Sequence, residues 1–439
     1  MAGIQNVVLL SIDALRADHL SFHGYERDTS PFLADLASDA VSFDRAISPS
    51  SHTREAVPAL LTGRYPDTFA NNGYRLVRSS VGDRLSAAGY ATAAFHSNPY
   101  VSRAYDFDSG FDVFDDNLML GQNRLVALFE RFLNKFVLNK GEYHTRAEEI
   151  NEQSLGWIDG LDDGPFFLWN HYMDTHGPYN PPVGFDRFSE RSVSNSDAQR
   201  LYQKSIKEPE NVTKEENRLL IDLYDGEIRY LDAQLRHMID GLDERGLLED
   251  TLVILTADHG DGFDEHGYYT HPRRLHEELL RVPLLVLHPD RDPKRVEKLV
   301  STLSVVPTIL AAAGGQDDTL PRDDLFAEIE DESDGSRTVF ASATGEDGDV
   351  RRFAVRDRRY KVVIERRLDD GEIVSETGFD LHADPGEQEQ IREFDGRLTE
   401  LRDQLYTFGN TRLGSVDAEM EAEKLDSEIE DRLEVLGYK

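Results

Sequence analysis

The sequence predicts an α/β fold in which helices flank one large, mostly parallel sheet, followed by a smaller C-terminal subdomain. Short apolar runs typical of buried strands alternate with amphipathic helical stretches through residues 1–316. Residues 317–336 form an acidic linker, and beyond it the pattern changes to antiparallel strands joined by turns. We therefore expect an α/β domain at 1–316 and an α+β subdomain at 337–439 that ends in an acidic helical tail.

Polar residues that suit a functional site follow three of the predicted strands. They are Asp13 after the strand at about 6–12, His171 and His176 after 166–169, and Asp258 and His259 after 253–255. Open α/β sheets hold ligands at the carboxyl ends of their strands, so these side chains are expected to converge. Carboxylates and imidazoles together suit a divalent cation, although an Asp-His pair at a strand end also occurs in purely structural roles.

A hydroxyl residue opens a short predicted helix. The loop at 48–53 leads into a helix from Arg54 to Leu61 that stops at Gly63, which places Thr53 at the amino end. A threonine there either caps the helix or lies where free N–H groups hold an anion.

Two longer helices are predicted by apolar residues at helical spacing, one at 122–138 and one at about 215–245. The apolar stripe of the first would face the core, a lid or a dimer surface, and the oligomeric state is left open. Between 184 and 214 the chain is polar and irregular, which favours a flexible insertion.

The composition excludes several classes of partner and site. The 439 residues include 48 basic and 84 acidic side chains, a formal net charge of −36, so nucleic acid and anionic membranes would be repelled. The acidic residues are dispersed along the chain, as is typical of proteins from salt-loving organisms. There is no cysteine, which excludes disulfides, thiolate metal sites and a cysteine nucleophile.

No segment has the pattern of a membrane span or a secretory signal. The longest apolar runs, such as residues 282–287, are too short to cross a bilayer. The amino terminus enters a strand-like run almost at once and lacks a basic leader, a long apolar core and a cleavage site. From the sequence we expect a cytoplasmic protein.

Six segments, in this order, resemble the motifs of the sulfatase family in the alkaline phosphatase superfamily. They lie at residues 10–20, 53–63, 171–179, 256–267, 275–283 and 380–387. Any one of them is a weak signal, but all of them in the family's order are specific. The resemblance covers most of the chain and implies an alkaline phosphatase-like fold and a small-molecule or glycan ester as substrate.

The resemblance also implies roles for individual residues. One divalent cation, Ca²⁺, Mn²⁺ or Mg²⁺, would be held by Asp13, Asp258 and His259 beside a nucleophile at Thr53. The further candidates are His176 and His271 for catalysis, and Asn72, His171 and His266 for substrate contacts.

The nucleophile segment departs from the family pattern. Family members carry a Cys or Ser that becomes formylglycine, with Pro and Arg two and four positions later, where this chain has Thr53, Glu55 and Val57. Threonine cannot become formylglycine, so we expect an unmodified nucleophile, as in several phosphoester-handling relatives. Ala14 replaces the second residue of the usual Asp-Asp pair, which removes one potential ligand.

Three functions stay open on the sequence alone. The first is a metal-dependent hydrolase of sulfate or phosphate esters, and the second is a phosphodiesterase or a transferase of a phospho-substituent. A formylglycine hydrate can expel sulfate without a second attack on sulfur, whereas a threonine cannot, which favours phosphate esters. The missing Pro and Arg also fit a catalytically silent binding protein, although the intact cation residues favour an enzyme.

Overall fold

Most strands belong to two sheets, which match the predicted fold class. The computed structural model describes residues 4–117, 144–190, 192–330 and 337–412. Its strands are β1 (Asn6–Ile12), β2 (Val41–Ile47), β3 (Ala91–His96), β4 (Val113–Asp115), β5 (Phe166–Tyr172), β6 (Thr251–Ala257), β7 (Gly262–Phe263), β8 (Tyr269–Thr270), β9 (Arg281–Val282), β10 (Leu284–Leu287), β11 (Lys294–Ser301), β12 (Val339–Thr344), β13 (Val350–Arg356), β14 (Tyr360–Arg367) and β15 (Ile373–Asp380).

Helices connect most of these strands. The α-helices within the described ranges are α1 (Pro31–Asp39), α2 (Thr53–Thr62), α3 (Asp67–Ala70), α4 (Val81–Ala87), α5 (Ala147–Asp159), α6 (Asn195–Lys207), α7 (Lys214–Glu244), α8 (Glu277–Leu280), α9 (Val305–Ala312), α10 (Leu325–Glu330) and α11 (Gly396–Asn410). The helix predicted at 122–138 lies outside the described residues, as does the tail after residue 412. None of the described helices combines the length and the apolar character that a bilayer crossing requires.

The larger sheet confirms the predicted mostly parallel architecture. Its strand order is β11-β2-β10-β6-β1-β5-β3-β4, with β9 paired to β2. Neighbouring strands run parallel except at β9 and β10, which run antiparallel to the strands beside them. Strand β1 is buried along its whole length, as expected for a central strand covered on both faces, and this explains its unbroken apolar run.

The register of the three central strands fixes where the functional side chains emerge. Ile12 of β1 pairs with Tyr172 of β5 on one side and with Ala257 of β6 on the other. The three parallel strands therefore end at the same level. The residues immediately beyond them, Asp13 and Asp258, continue the pairing, since each backbone N–H donates to the carbonyl of a neighbouring strand.

The helix predicted at about 215–245 is confirmed as α7. It begins with a capping box formed by Thr213 and Glu216. On its buried side, Asp232 accepts hydrogen bonds from the backbone N–H groups of Phe32 at 3.0 Å and Leu33 at 2.9 Å. A carboxylate of α7 therefore caps α1, whose own Ser30 makes no side-chain cap.

Two segments, one predicted as a flexible insertion and one as a linker, contain helices that the sequence pattern did not indicate. Residues 184–214, predicted as a flexible insertion, include α6, which buries Leu201 and Tyr202. The predicted linker at 317–336 includes α10, where Leu325 is fully buried. The domain division itself stays a prediction.

The C-terminal subdomain is a four-stranded antiparallel sheet, β12-β13-β14-β15, that packs against α11. This confirms the predicted smaller antiparallel-sheet-plus-helix unit. Phe353 and Ile364 on the sheet meet Leu401 and Leu405 on the helix in a separate apolar core. The apolar alternation along β13 and β14 matches a sheet with one face covered by a helix.

A buried lysine joins this subdomain to the larger domain. Lys361 on β14 is fully buried, and its Nζ lies 2.8 Å from Glu387 Oε1 and 3.3 Å from Glu277 Oε1. Arg356 pairs with Glu277 as well. Because Glu277 precedes β9 and Lys361 lies on β14, this ion network spans the two units.

Replacing Lys361 with methionine is expected to destabilise the protein by about 3–5 kcal/mol, because it leaves Glu277 and Glu387 buried with too little positive charge. Burial already raises the pKa of Glu387 to about 7. Because the Lys361 ammonium lowers that pKa, its loss should raise it further, so the deficit should grow as the pH rises above 7 and be smallest at and below pH 7. Urea unfolding measures the change, with Lys294→Met at the exposed start of β11 as control. Equal unfolding midpoints would contradict the prediction.

Candidate active site

The candidate site lies where the carboxyl ends of β1, β5 and β6 meet the amino end of α2. Asp13, Asp258 and His259 are buried there, and their potential ligand atoms all lie within 4.8 Å of one another. His259 Nε2 is 3.5 Å from Asp258 Oδ2 and 3.8 Å from Asp13 Oδ1. The structure thus brings together the residues that the sequence suggested as cation ligands.

This cluster fits a divalent cation on the chemistry of its own atoms. Asp13 Oδ1 and Asp258 Oδ2 are buried and have no hydrogen-bond partner among the described residues. His259 Nδ1 lies 2.8 Å from the Gly260 carbonyl, to which it donates its proton, so Nε2 presents a lone pair. Two unsatisfied carboxylate oxygens and one imidazole lone pair form a suitable donor set for a hard or borderline cation.

The protonation of the two carboxylates points to the same conclusion. Burial raises the pKa of Asp258 well above its usual range, and the nearby Asp13 carboxylate raises it further. Burial acts on Asp13 in the same direction, but in acid the protonated imidazole of His176, together with His171, outweighs it and lowers the Asp13 pKa. Two buried carboxylates therefore lie close enough to repel each other, and a bound cation would compensate both.

Thr53 is held at the first turn of α2, facing this cluster. Its Oγ1 lies 3.0 Å from His259 Nε2, and the residue is fully buried. The side chain of His52, and not that of Thr53, caps the helix, since His52 Nδ1 accepts from the Arg54 backbone N–H at 3.2 Å. The structure therefore rules out the interpretation of Thr53 as a simple helix cap.

Two backbone positions shape the pocket. Ala14 adopts a positive φ of 58°, which lets its N–H donate to Asp258 Oδ1 at 3.2 Å. Its methyl group is buried where the family pattern has a second aspartate. At Gly260 a β-carbon would collide with the backbone carbonyl of Glu278, so only glycine fits directly after His259.

His176 and His271 lie beside the cluster as predicted from the sequence. The ring centroids of His271 and His259 are 4.6 Å apart, and those of His271 and His176 are 4.9 Å apart. Burial lowers the pKa of His176 to about 4 and that of His271 to about 3. Both imidazoles are therefore neutral near pH 7 before an anion binds.

Asp261 orients His271 and was not singled out by the sequence reasoning. Its Oδ1 lies 3.1 Å from His271 Nδ1, and the Tyr179 hydroxyl donates to its Oδ2. Burial raises the pKa of Asp261 to about 6. The signal was present in the sequence, because Asp261 lies three residues after Asp258 in the same glycine-rich turn.

Asn98 is a second residue that the sequence reasoning missed. It follows β3 and donates from Nδ2 to Asp13 Oδ2 at 2.7 Å. His171, the candidate substrate contact at the end of β5, lies 3.4 Å from the same oxygen through its Nε2. Ser11 Oγ is 2.9 Å from His171 Nδ1 and accepts from Trp169 Nε1 at 2.9 Å, so Ser11 orients the imidazole.

Asn72 and His266, which the sequence suggested as substrate contacts, make no described contact with this cluster. Asn72 is exposed, and its side-chain amide donates to the Thr68 carbonyl at 2.7 Å. His266 stacks on His276 with ring centroids 3.7 Å apart, and its Nδ1 lies 2.7 Å from Glu278 Oε1. His266 therefore belongs to a separate polar group at the contact with the C-terminal subdomain.

Proteins of known family share both sequence and fold with this chain. The sulfatase family (described as "Sulfatase") matches residues 5–315. Iduronate 2-sulfatase of Mus musculus is 24% identical over an alignment that covers 70% of this chain and 68% of that protein. Phosphatidylethanolamine transferase Mcr-1 of Escherichia coli is 25% identical over 60% of this chain, but only 44% of the transferase is covered.

A solved structure supports the fold. The phosphonate monoester hydrolase of Agrobacterium radiobacter superposes with a TM-score of 0.71 at 21% identity, covering 93% of this chain and 95% of the hydrolase. The family match extends over the whole of the larger sheet and all the residues of the buried cluster. This chain therefore belongs to the sulfatase family of the alkaline phosphatase superfamily and is a sulfatase-like ester hydrolase.

Proposed function

We propose that the chain cleaves a phosphate or sulfate ester by attack of Thr53 beside a single divalent cation. The observation that carries this proposal is the position of Thr53 Oγ1, 3.0 Å from His259 Nε2, in a cluster that contains two unsatisfied carboxylate oxygens. A hydroxyl next to a cation site is the arrangement required for attack on an anionic ester.

The chain's own residues account for binding and proton movement. Asp13, Asp258 and His259 would hold the cation, which lowers the pKa of a nearby hydroxyl and neutralises charge on the ester oxygens. The Thr53 hydroxyl would lose its proton to solvent, Oγ1 would form a bond to phosphorus or sulfur, and the bond to the leaving oxygen would break. His176 or His271, protonated once the anionic ester has raised its pKa, gives a proton to that oxygen.

A water molecule then attacks the threonyl ester and releases the inorganic anion together with free Thr53. His271 is oriented for proton transfer in both halves of the reaction, because Asp261 holds its Nδ1 at 3.1 Å. The second attack on the central atom is needed because threonine has no gem-diol through which to expel the anion. This requirement favours phosphorus esters over sulfate esters.

Some relatives have names that fit this preference, whereas iduronate 2-sulfatase fits sulfate esters. One solved relative is a phosphonate monoester hydrolase, and one sequence relative is a phosphatidylethanolamine transferase. Transfer of a phospho-substituent from Thr53 to an alcohol in place of water is the second candidate function. It follows from the same threonyl intermediate and requires only a different acceptor.

A panel of chromogenic esters separates these functions. We expect the protein, purified in concentrated KCl and supplied with Mn²⁺, Mg²⁺ or Ca²⁺, to turn over 4-nitrophenyl phosphate, bis(4-nitrophenyl) phosphate or a phenylphosphonate ester faster than 4-nitrophenyl sulfate. Added glycerol should yield a glycerol ester only if transfer competes with hydrolysis. Faster turnover of the sulfate would overturn the preference for phosphorus esters. No turnover of any ester would overturn the proposed mechanism.

A further inference from the structure

An arginine-rich cavity lies between the larger domain and the C-terminal subdomain. Its volume is about 900 Å³, and none of Thr53, Asp13, Asp258 or His259 lines it. Seven arginines line it against five carboxylates, in a chain whose formal net charge is −36. A local excess of positive charge in so acidic a protein is an unusual feature that calls for a partner.

The carboxylates of this cavity already have cationic or hydrogen-bonding partners. Asp18 and Glu265 both pair with Arg16. Asp44 pairs with Arg295 at 2.9 Å. Glu277 pairs with Arg356 and Lys361. Glu278 is hydrogen-bonded to His266 and Tyr268.

Two arginines of the cavity have no carboxylate partner among the described residues. Arg45 on β2 donates from Nη1 to the Glu297 backbone carbonyl at 2.8 Å. Arg281 on β9 donates from Nε to the Asp44 backbone carbonyl at 3.2 Å. Both side chains are half-buried, so each holds a positive charge that is not fully hydrated and forms no ion pair with a carboxylate among the described residues.

The strand pairing places these two charges close together. Strand β2 runs antiparallel to β9 with Ile47 opposite Arg281, so Arg45 is a diagonal neighbour of Arg281 on the same face of the sheet. Burial lowers the pKa of Arg45, and the positive charges of Arg358, Arg356 and Arg281 lower it further. Like charges are therefore held together by the fold and are compensated only in part, by Asp44 near Arg45 and by Asp18 and Glu277 near Arg281.

We propose that this cavity binds a sulfate or phosphate group, either as a free anion or carried on a sugar, with Arg45 and Arg281 as its principal contacts. Guanidinium groups present paired donors that match the oxygens of both anions, and half-burial strengthens such bonds. The site is separate from the one that would hold the reacting ester. The proposal therefore does not depend on the role of Thr53.

Isothermal titration calorimetry of the full chain tests this proposal. The protein is freed of divalent cations with EDTA, so that no cation can hold an anion at the other site, and titrated in KCl with inorganic phosphate, inorganic sulfate and a monosulfated monosaccharide. We expect one anion per chain to bind to the wild type, and at least tenfold weaker binding to the Arg45→Gln/Arg281→Gln variant. Tighter binding of the sulfated sugar than of both inorganic anions would identify a glycan as the source.

Two further measurements exclude indirect effects. Arg291→Gln removes an exposed arginine that pairs with Glu330 outside the cavity, and it should bind all three anions like the wild type. Without anion, the double variant should unfold at the same temperature as the wild type or higher, because it relieves repulsion. Equal anion binding by the wild type and the double variant, or no binding by the wild type, would overturn the proposal.

Discussion

Replacing Thr53 with alanine is expected to lower turnover on the order of a thousandfold or more, as removal of a nucleophile does in other covalent mechanisms. The reason is geometric. No other described hydroxyl side chain is hydrogen-bonded to His259 Nε2, so nothing replaces Oγ1 as the attacking atom. Thr53→Ser keeps an oxygen at that position and should retain a measurable fraction of the activity.

The control for this experiment lies on the same helix. Thr62 is the last residue of α2, is fully buried, and donates its hydroxyl to the Pro58 carbonyl at 2.7 Å. Thr62→Ala therefore makes the same chemical change in the same helix, but at a residue that is not hydrogen-bonded to His259. It should affect stability more than turnover. Steady-state kinetics at saturating cation, with circular dichroism of each variant, measure both effects. Full activity in Thr53→Ala would show that another group attacks.

The arrangement of the central strands was predictable because the apolar runs are unambiguous. Strands β1, β5 and β6 are buried throughout, and each contains an unbroken apolar run. The first charged residue after β1 is Asp13, and the first after β6 is Asp258. Parallel strands of similar length bring such residues to one edge of a sheet. Asp13 and Asp258 could therefore be paired without knowledge of the intervening chain.

Contacts between loops were not predictable in the same way. Asn98 and Asp261 act through side chains whose partners, Asp13 and His271, lie on other segments, and no periodicity relates them. Asn72 was also predicted from its position in a loop, but its side chain forms a local hydrogen bond to the Thr68 carbonyl. Helix α6 was missed although its buried residues, Ala198, Leu201, Tyr202 and Ser205, lie at helical spacing, because two of the four are small and the rest of the segment is polar.

Replacing Asp258 with asparagine is expected to weaken divalent-cation binding at least about a hundredfold. The loss should exceed the one caused by changing a residue that merely supports a metal ligand. Asp258 Oδ1 accepts from the backbone N–H groups of Ala14 and His259, and an amide oxygen can keep both bonds. The amide nitrogen then replaces the unsatisfied Oδ2 and presents hydrogens where a cation requires lone pairs. The fold should survive while the donor set is lost.

Stability measurements distinguish this loss from general damage. Without cation, Asp258→Asn should be as stable as the wild type or more stable, because it removes a buried carboxylate whose pKa is already raised by burial and by Asp13. With Mn²⁺ at a hundred times its dissociation constant, the wild type alone should gain about 2.7 kcal/mol. Thermal unfolding with and without Mn²⁺, together with calorimetric titration, gives both quantities.

The neighbouring carboxylate provides the matched control for Asp258→Asn. Asp261 is equally buried, but its oxygens are engaged by His271 and Tyr179, so it has none to offer a cation. Asp261→Asn should therefore bind Mn²⁺ within a few-fold of the wild type while losing turnover through a misoriented His271. If both variants lost the cation to the same extent, the site would extend beyond the three proposed ligands. If neither did, the cation would bind elsewhere, and the unsatisfied oxygens of Asp13 and Asp258 would need another explanation.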